Sequence, residues 1–411
     1  MDYKRIFELI LDIGAAMTAC GGETRRVNTA VYMLAKSYGF QSCNFWIVPS
    51  NVEGTATSPT GETYTEIRHI RGVDTDFGML DELNALSRRL VSERPDANVF
   101  SRDFLRITAK KKTQVWLTYV AGVFAAGGFA GFYGCDFPDI LVTAIASLLV
   151  TFTMRHLAGR ESNPLIKNFI VSLMIEFFIL TCVHLGFGHH VGLITISIVM
   201  MLVSGLATTN GIHDLVHLDT LSGITNIALS ATGAIGIAMG MAVPLYFLRD
   251  WAAGEQLAGT VSVPITLVSA LIACLGFALW FGVRKRRLIT SPLGSVITTG
   301  AFLLASSLIK DSSYITNLIA AIICGAYAQI MARAEKAPAT IFVTIGALPL
   351  IPGSSLYYLM LGIVTRNLDF ARSSGMELVR AAFGIVMGLM AVEAAVKFIN
   401  GAKNKFSKKK G

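Results

Sequence analysis

The sequence predicts an α-helical polytopic membrane protein, with ten transmembrane helices in two inverted five-helix repeats behind a small cytoplasmic α+β domain. Three observations carry this expectation. The chain of 411 residues is 53% hydrophobic and only 15% charged, too apolar for a soluble protein of its size. From residue 113 onward the apolar residues fall in blocks of membrane length. The apolar part also repeats at a spacing of 148 residues, that between Gly128 and Gly276. Val115, Thr118, Val120, Ala125, Gly128, Phe129, Ala130 and Gly134 return as Val263, Thr266, Val268, Ala273, Gly276, Phe277, Ala278 and Gly282. Ser147 and Thr151 meet Ser295 and Thr299 at the same spacing, and Leu202-Val203-Ser204-Gly205 meets Leu350-Ile351-Pro352-Gly353. Internal repeats of apolar segments are a signature of secondary transporters, which hold substrate between the repeats.

Residues 1–112 are polar enough to form a domain of their own. Helical periodicity runs from Leu9 to Met17 and from Val27 to Tyr38, broken at Gly21-Gly22. Phe45–Val48, Gly54–Thr57 and Tyr64–Ile67 are short β-like runs, split by Pro49-Ser50-Asn51 and Pro59-Thr60-Gly61. Helical pattern returns near residue 76, so a small α+β domain with a β-meander is expected. No n-region, apolar core and cleavage site stand at the start, so no signal peptide is expected.

The first membrane repeat covers 113–250 and the second, with a basic tail, 251–411. The expected spans are 113–133, 137–154, 168–187, 191–207 and 223–248, then 261–282, 289–309, 314–332, 340–364 and 376–399. Each is near the about 20 residues that cross the hydrocarbon. Five spans per copy force the second copy to run upside down. Loop charge agrees. With residues 1–112 in the cytoplasm, the inner loops carry Arg155, Arg160, Lys167, Arg284–Arg287, Arg333, Lys336 and the lysine-rich tail. Both termini are then cytoplasmic. The last outer loop, with Arg366 and Arg372, fits least well.

The net charge of +8 follows this flanking pattern and does not point to nucleic acid. The six cysteines make no ligand spacing, and no metal or cofactor is expected. No nucleophile elbow, P-loop or dinucleotide fingerprint is present, so an enzyme is not expected. Gly127 with Gly131, and Gly236 with Gly240, have small-xxx-small spacing and are read as close helix packing.

Two segments interrupt the apolar pattern at matching places. Span four runs through Gly205 into Asn210, His213, Asp214, His217 and Asp219. Span nine contains Pro349, Pro352, Gly353, Ser354, Ser355, Tyr357 and Tyr358. Proline removes a backbone donor and clashes with the preceding turn, so Pro349 and Pro352, matched by Gly205, are the expected helix breaks. Broken backbone at membrane depth is tolerated where it is buried or lines a cavity. The half-helix that starts at Gly353 presents N–H groups and a positive dipole end to a carboxylate. Gly353, Ser354 and Ser355 are the expected carboxylate site, with Tyr357 and Tyr358 lining it and Asn210 adding a hydrogen bond.

Glu176 lies inside span three and Glu393 inside span ten. A carboxylate at such depth is functional by default, and more so for Glu176, since Glu393 is nearer a membrane face. Glu176, Asp214 and His213 are the proton-coupling candidates, since His titrates near neutral pH. A solvated turn is the alternative for 213–219, and a structural ion pair for Glu23 with Arg25 and Arg26.

The stretch Gly14 through Gly21-Gly22-Glu23-Thr24-Arg25-Arg26-Val27 resembles the opening signature of the threonine/serine exporter family. There the pattern is roughly Gly, six residues, then Gly-Ala-Glu-Thr-x-Arg-Val-Glu. Gly22 replaces Ala here, and Asn28 the final Glu. Asn210, Asp214 and Asp219-Thr220-Leu221-Ser222-Gly223 continue the likeness, with Leu218 where the family often has Gly and Ser204 where Pro is usual. Ala332-Arg333, Pro338-Ala339-Thr340 and Pro349–Ser354 are similar to the family's C-terminal domain.

The resemblance implies a multi-pass exporter in the bacterial inner (cytoplasmic) membrane, driven by the proton motive force. Its partners are protons, membrane lipid and a small carboxylate-bearing substrate, with no nucleic acid; an oligomer is left open. Threonine and serine are the first expectation. A dicarboxylate such as succinate, which a two-subunit relative exports, is the alternative, and a gated channel is a further rival.

Overall fold

The computed structural model describes residues 2–70, 72–110, 114–157, 163–203, 211, 214–215, 218–248, 251, 261–309, 312–364 and 366–408. They divide into two compact units. One comprises residues 1–117, 206–229 and 279–285, the other 118–205, 230–278 and 286–411.

In the first unit α1 (Tyr3–Ala19) opens on Asp2, whose carboxylate accepts the Arg5 N–H. Its buried stripe of Ile6, Leu9, Ile10, Ile13 and Met17 follows the helical period. α2 (Thr24–Ser37) crosses it closely at Gly14, where a Cβ would sit 2.8 Å from Val31. The three β runs read from sequence are strands. β1 (Gln41–Val48), β2 (Asn51–Thr57) and β3 (Thr63–His69) pair antiparallel in chain order, and Val52, Gly54 and Ala56 turn inward at the strand period. α3 (Phe77–Glu93) and α4 (Ala97–Thr108) follow, capped by the carboxylates of Asp76 and Asp96. The unit also holds the turn after the sixth apolar block: the Phe77 N–H donates to the Phe281 carbonyl, 2.8 Å away.

The apolar helices are α5 (Val115–Tyr133), α6 (Phe137–Leu157), α7 (Pro164–His184), α8 (Val191–Leu202) and α9 (Thr220–Phe247), then α10 (Val263–Trp280), α11 (Arg287–Leu308), α12 (Ser313–Ala334), α13 (Ala339–Ala347), α14 (Gly353–Val364) and α15 (Leu368–Lys408). Eight of them are long and apolar enough to cross a membrane, and the bent pair α13/α14 makes up to nine among the described residues. The sequence led us to expect ten. The difference lies at the fourth block, where α8 has 12 residues and the continuation 204–210 is outside the described residues.

The 148-residue spacing reappears in the helix boundaries. Val115 and Val263, Val191 and Ala339, and Thr220 and Leu368 start matching helices. α8 ends at Leu202, matching the end of the 3-10 turn Leu348–Leu350 that follows α13. Gly134 and Gly282 follow α5 and α10 with φ of 89° and 71°, the left-handed end that favours glycine. Buried hydroxyls recur too: Thr143, Ser147 and Thr151 on α6 match Ser291, Ser295 and Thr299 on α11.

α5 and α10 cross at these matched positions. A Cβ on Gly128 would lie 2.3 Å from the Ala273 backbone, and one on Gly276 would lie 2.2 Å from that of Ala125. As α5 climbs through Ala125, Gly128 and Gly131, its neighbours descend through Gly276, Ala273 and Ser269, so the two helices are antiparallel. Gly128, rather than the expected Gly127, makes the approach; Gly127 has open space around it. Gly236 and Gly240 of α9 pack on the backbone of Leu165 and Phe169 in α7, as expected of their spacing. The same contact recurs with Gly384 and Gly388 of α15 on Tyr314 and Leu318 of α12.

Candidate functional site

The second copy is broken where its prolines stand. α13 tightens into the 3-10 turn around Pro349, the chain extends through Ile351 and Pro352, and α14 leaves at 48° to the preceding segment. The Gly353 N–H donates to the Ile351 carbonyl at 2.8 Å, and the first rung of the α14 ladder runs from the Leu356 N–H to Pro352. The Ser354 and Ser355 N–H groups therefore lie ahead of that ladder, at the positive end of the half-helix. Both side chains are half-buried. Of the three N–H groups expected there, that of Gly353 is already used, and those of Ser354 and Ser355 remain. What Gly353 provides is closeness: a Cβ there would lie 2.4 Å from Met200 Sδ, near the end of α8. Leu356 packs on the apolar core built from α6, α7, α8 and α9. The break of one copy is thus seated beside the fourth helix of the other. Tyr357 is buried and Tyr358 partly exposed, with ring centroids 5.5 Å apart, and Tyr358 packs edge-on to Phe370 in α15.

Glu176 is fully buried on α7, and the Thr195 hydroxyl of α8 donates to its Oε2 at 2.9 Å. The matching pair in the second copy is Cys324 and Val343, with the thiol 3.9 Å from the backbone carbonyl. Glu393 is half-buried on α15.

Asp214 lies in the other unit. It is buried, and its Oδ2 accepts from Thr24 Oγ1 (3.3 Å) and Asn226 Nδ2 (3.2 Å). A solvated turn does not describe this residue, since two polar side chains replace water around it. Thr24 belongs to the Gly-Gly-Glu-Thr stretch, and Glu23 beside it pairs with Arg26 at 2.6 Å. Ser222 adds a second tie, donating to the Ile47 carbonyl of β1. Gly205, Asn210 and His213, with Ser204 and His217, lie outside the described residues. Asp214 and Glu176 fall in different units, so the structure gives no common geometry for these two coupling candidates.

Sequence reasoning passed over Thr195, Met200, Asp139 and His190. Thr195 and Met200 carry no signal in a single apolar block. Asp139 does, because an ionisable residue in the first turn of span two stands where the second copy has Arg287.

Comparison with known proteins supports the transport reading. The family model described as "Putative threonine/serine exporter" matches residues 8–248. A second, "Threonine/Serine exporter, ThrE", matches residues 266–395. The chain is similar to a "Probable threonine/serine exporter" of Mycobacterium tuberculosis, 22% identical over 370 residues that cover 86% of this chain and 69% of that one. No solved structure matches. With more than half of its length under the first of these models, in a fold of many apolar helices, the chain belongs to the threonine/serine exporter family and is a multi-pass membrane protein.

Proposed function

We propose that this protein is a secondary exporter driven by the proton motive force, and that it moves small carboxylate-bearing metabolites, threonine and serine first among them. The observation that carries the reading is the break at Pro349–Pro352, which opens a half-helix at Ser354 and Ser355 beside α8 of the other copy. Substrate sites built from discontinuous helices at a repeat interface are a recurring transporter design. The antiparallel, reciprocal crossing of α5 and α10 supports an inverted relation between the copies. Ten spans with both termini in the cytoplasm belong to this reading.

In this reading the N–H groups and hydroxyls of Ser354 and Ser355 hold the substrate carboxylate. Tyr357 and Tyr358 bound the space, and Asn210 adds a hydrogen bond. Glu176, switched between carboxyl and carboxylate against the Thr195 hydroxyl, carries the proton. Asp214, held by Thr24, and His213 are the further coupling candidates of this reading.

The test is counterflow of labelled threonine, serine and succinate in proteoliposomes, with and without a pH gradient. Accumulation of threonine or serine that follows the gradient and is abolished by a protonophore is expected. Succinate alone would move the reading to the dicarboxylate alternative, and downhill flux alone to a channel. A hydrogen bond to a charged group is worth about 1.5–3 kcal/mol, so Ser354→Ala and Ser355→Ala should weaken binding roughly ten- to a hundredfold. Wild-type affinity in both variants would move the site away from this break.

A further inference from the structure

The starts of α6 and α8 are joined by four ionisable side chains that the proposed cycle has not used. Asp139, in the first turn of α6, is fully buried. Its Oδ1 accepts the backbone N–H groups of His189 (2.7 Å) and His190 (3.3 Å), and its Oδ2 lies 2.6 Å from His190 Nδ1. With both oxygens engaged, the carboxylate fixes the imidazole with Nδ1–H toward Asp139, which leaves Nε2 as the basic atom. The His190 side chain is 14% exposed, so water can reach it. Outside this pair, Asp136 accepts the Asp139 N–H at 3.0 Å and meets His189 Nδ1 at 2.5 Å.

The other copy has a joint at the same place, made with different chemistry. The residue matching Asp139 is Arg287. Its guanidinium lies 3.7 Å from Glu335 Oε2 and donates to the Glu335 carbonyl at 3.2 Å, in the turn before α13. An arginine stays charged at any physiological pH. One joint therefore pairs its carboxylate with an imidazole, and its counterpart pairs it with a permanent cation.

We propose that His190, oriented by Asp139, is a proton-accepting site of the transport cycle at the non-cytoplasmic ends of α6 and α8. Nε2 takes a proton from hydronium in the outer solution, so that an N–H bond forms as an O–H bond breaks, and release of the proton reverses the step. The resulting imidazolium–carboxylate pair tightens the joint between the two helices. α8 then links this joint to the rest of the machinery. Thr195, which holds Glu176, is five residues or about 7.5 Å further along the helix. Met200 lies beyond it against Gly353.

The other titratable groups around the joint, among the described residues, are Asp136, His189 and Cys135, with Cys182 and His184 in the last turn of α7 and Glu176 deeper on it. Burial pushes the Cys135 thiol up to about 12, so it stays neutral in this range. The hydrogen bond that His189 donates to Asp136 holds this imidazole above its ordinary value. Asp136 is held below the ordinary carboxylate range, the partners His189 and Asp139 outweighing its burial.

The inference rests on the proton-coupled reading above, and the test separates the two. Wild type, His190→Gln, Asp139→Asn and Arg287→Lys are reconstituted as full chains. Counterflow at equal pH and gradient-driven accumulation are measured for labelled threonine, serine and succinate. A single imidazole changes its protonated fraction about tenfold over two pH units centred on its pKa. His190→Gln should keep counterflow within about twofold and lose roughly that tenfold of gradient-driven accumulation. Arg287→Lys should keep the wild-type pH profile. Gradient-driven accumulation with an unchanged profile in His190→Gln overturns the inference alone; a wild type blind to the gradient overturns the proton-coupled reading with it. Asp139→Asn provides a second readout that does not depend on a folded His190 variant: it should lose gradient-driven accumulation as His190→Gln does, and wild-type accumulation in folded Asp139→Asn overturns the inference.

Discussion

Gly128 and Gly276 occupy the same place in the two copies and make the same backbone contact. Glu176 and Cys324 also share a place, yet one is a carboxyl held by a hydroxyl and the other a thiol against a carbonyl. Across the described residues, positions that set helix spacing match: Gly236 with Gly384, Gly240 with Gly388, and Ser147 with Ser295. Positions able to hold a charge differ: Asp139 against Arg287, and Glu176 against Cys324. The physical reason is that helix packing in a membrane depends on backbones approaching closely, which few side chains permit. A buried charge is expensive and is kept only where it acts or is paired. The comparison teaches that the copies share a scaffold and differ at ionisable positions: among the described residues, Asp139 and Glu176 of the first stand where the second has Arg287 and Cys324.

The largest effect should come from the shared scaffold. Gly128→Leu and Gly276→Leu each drive a side chain into backbone 2.2–2.3 Å away. Overpacking costs about 1–3 kcal/mol and more where no side chain can yield, so both should exceed about 3 kcal/mol. Monodisperse yield and melting temperature in detergent report it. A harmless substitution at one position with a lethal one at the other would break the equivalence of the crossing.

The next effect tests the ionisable positions. Glu176→Gln should bind substrate within about threefold of wild type and lose about tenfold or more of gradient-driven accumulation. Cys324→Ala, at the same place in the other copy, should change accumulation less than about twofold. Equal losses in both would mean that the two positions do the same structural work and that Glu176 carries no proton.

The smallest effect concerns strain that the copies share. Leu218 and Arg366, again 148 residues apart, precede the last helix of each copy with φ of 66° and 58°. A side chain there costs about 0.5–1 kcal/mol relative to glycine. Leu218→Gly and Arg366→Gly should each raise the melting temperature by roughly 1–3 °C for a chain of this size. A rise in one alone would show that the left-handed turn is strained in one copy only.

Much of this was legible in the sequence, for reasons that differ by element. The repeat spacing survived because it is carried by small and apolar residues whose packing leaves little choice, and it marks the helix starts at Val191 and Ala339. The strands were legible from turn residues such as Pro49-Ser50 and Pro59-Thr60-Gly61, because turn chemistry is local. The break at Pro349 and Pro352 was legible for the same reason. The use of the Gly353 N–H by Ile351 was not, since composition does not fix the hydrogen bonds of a turn. Small-xxx-small spacing points to Gly127 with Gly131, while Gly128 makes the approach, because spacing gives a period and not the direction in which a helix faces. The sequence leaves Asp214 open between a coupling group and a solvated turn, because its partner Thr24 lies 190 residues away. Asp139 and His190 are separated by the whole of α7. Only the alignment of Asp139 with Arg287 would have marked it.

The crossing of α5 and α10 has one more consequence. Its contact surface fits its own inverted image, since the same run of residues supplies the glycine and the alanine on each side. A half-length ancestor inserted in both orientations would already possess the whole joint as an antiparallel homodimer. Fusing two such halves leaves the crossing as it was. It frees the two genes' worth of sequence to diverge, so that Asp139 and Arg287 need not be spelled by the same codon.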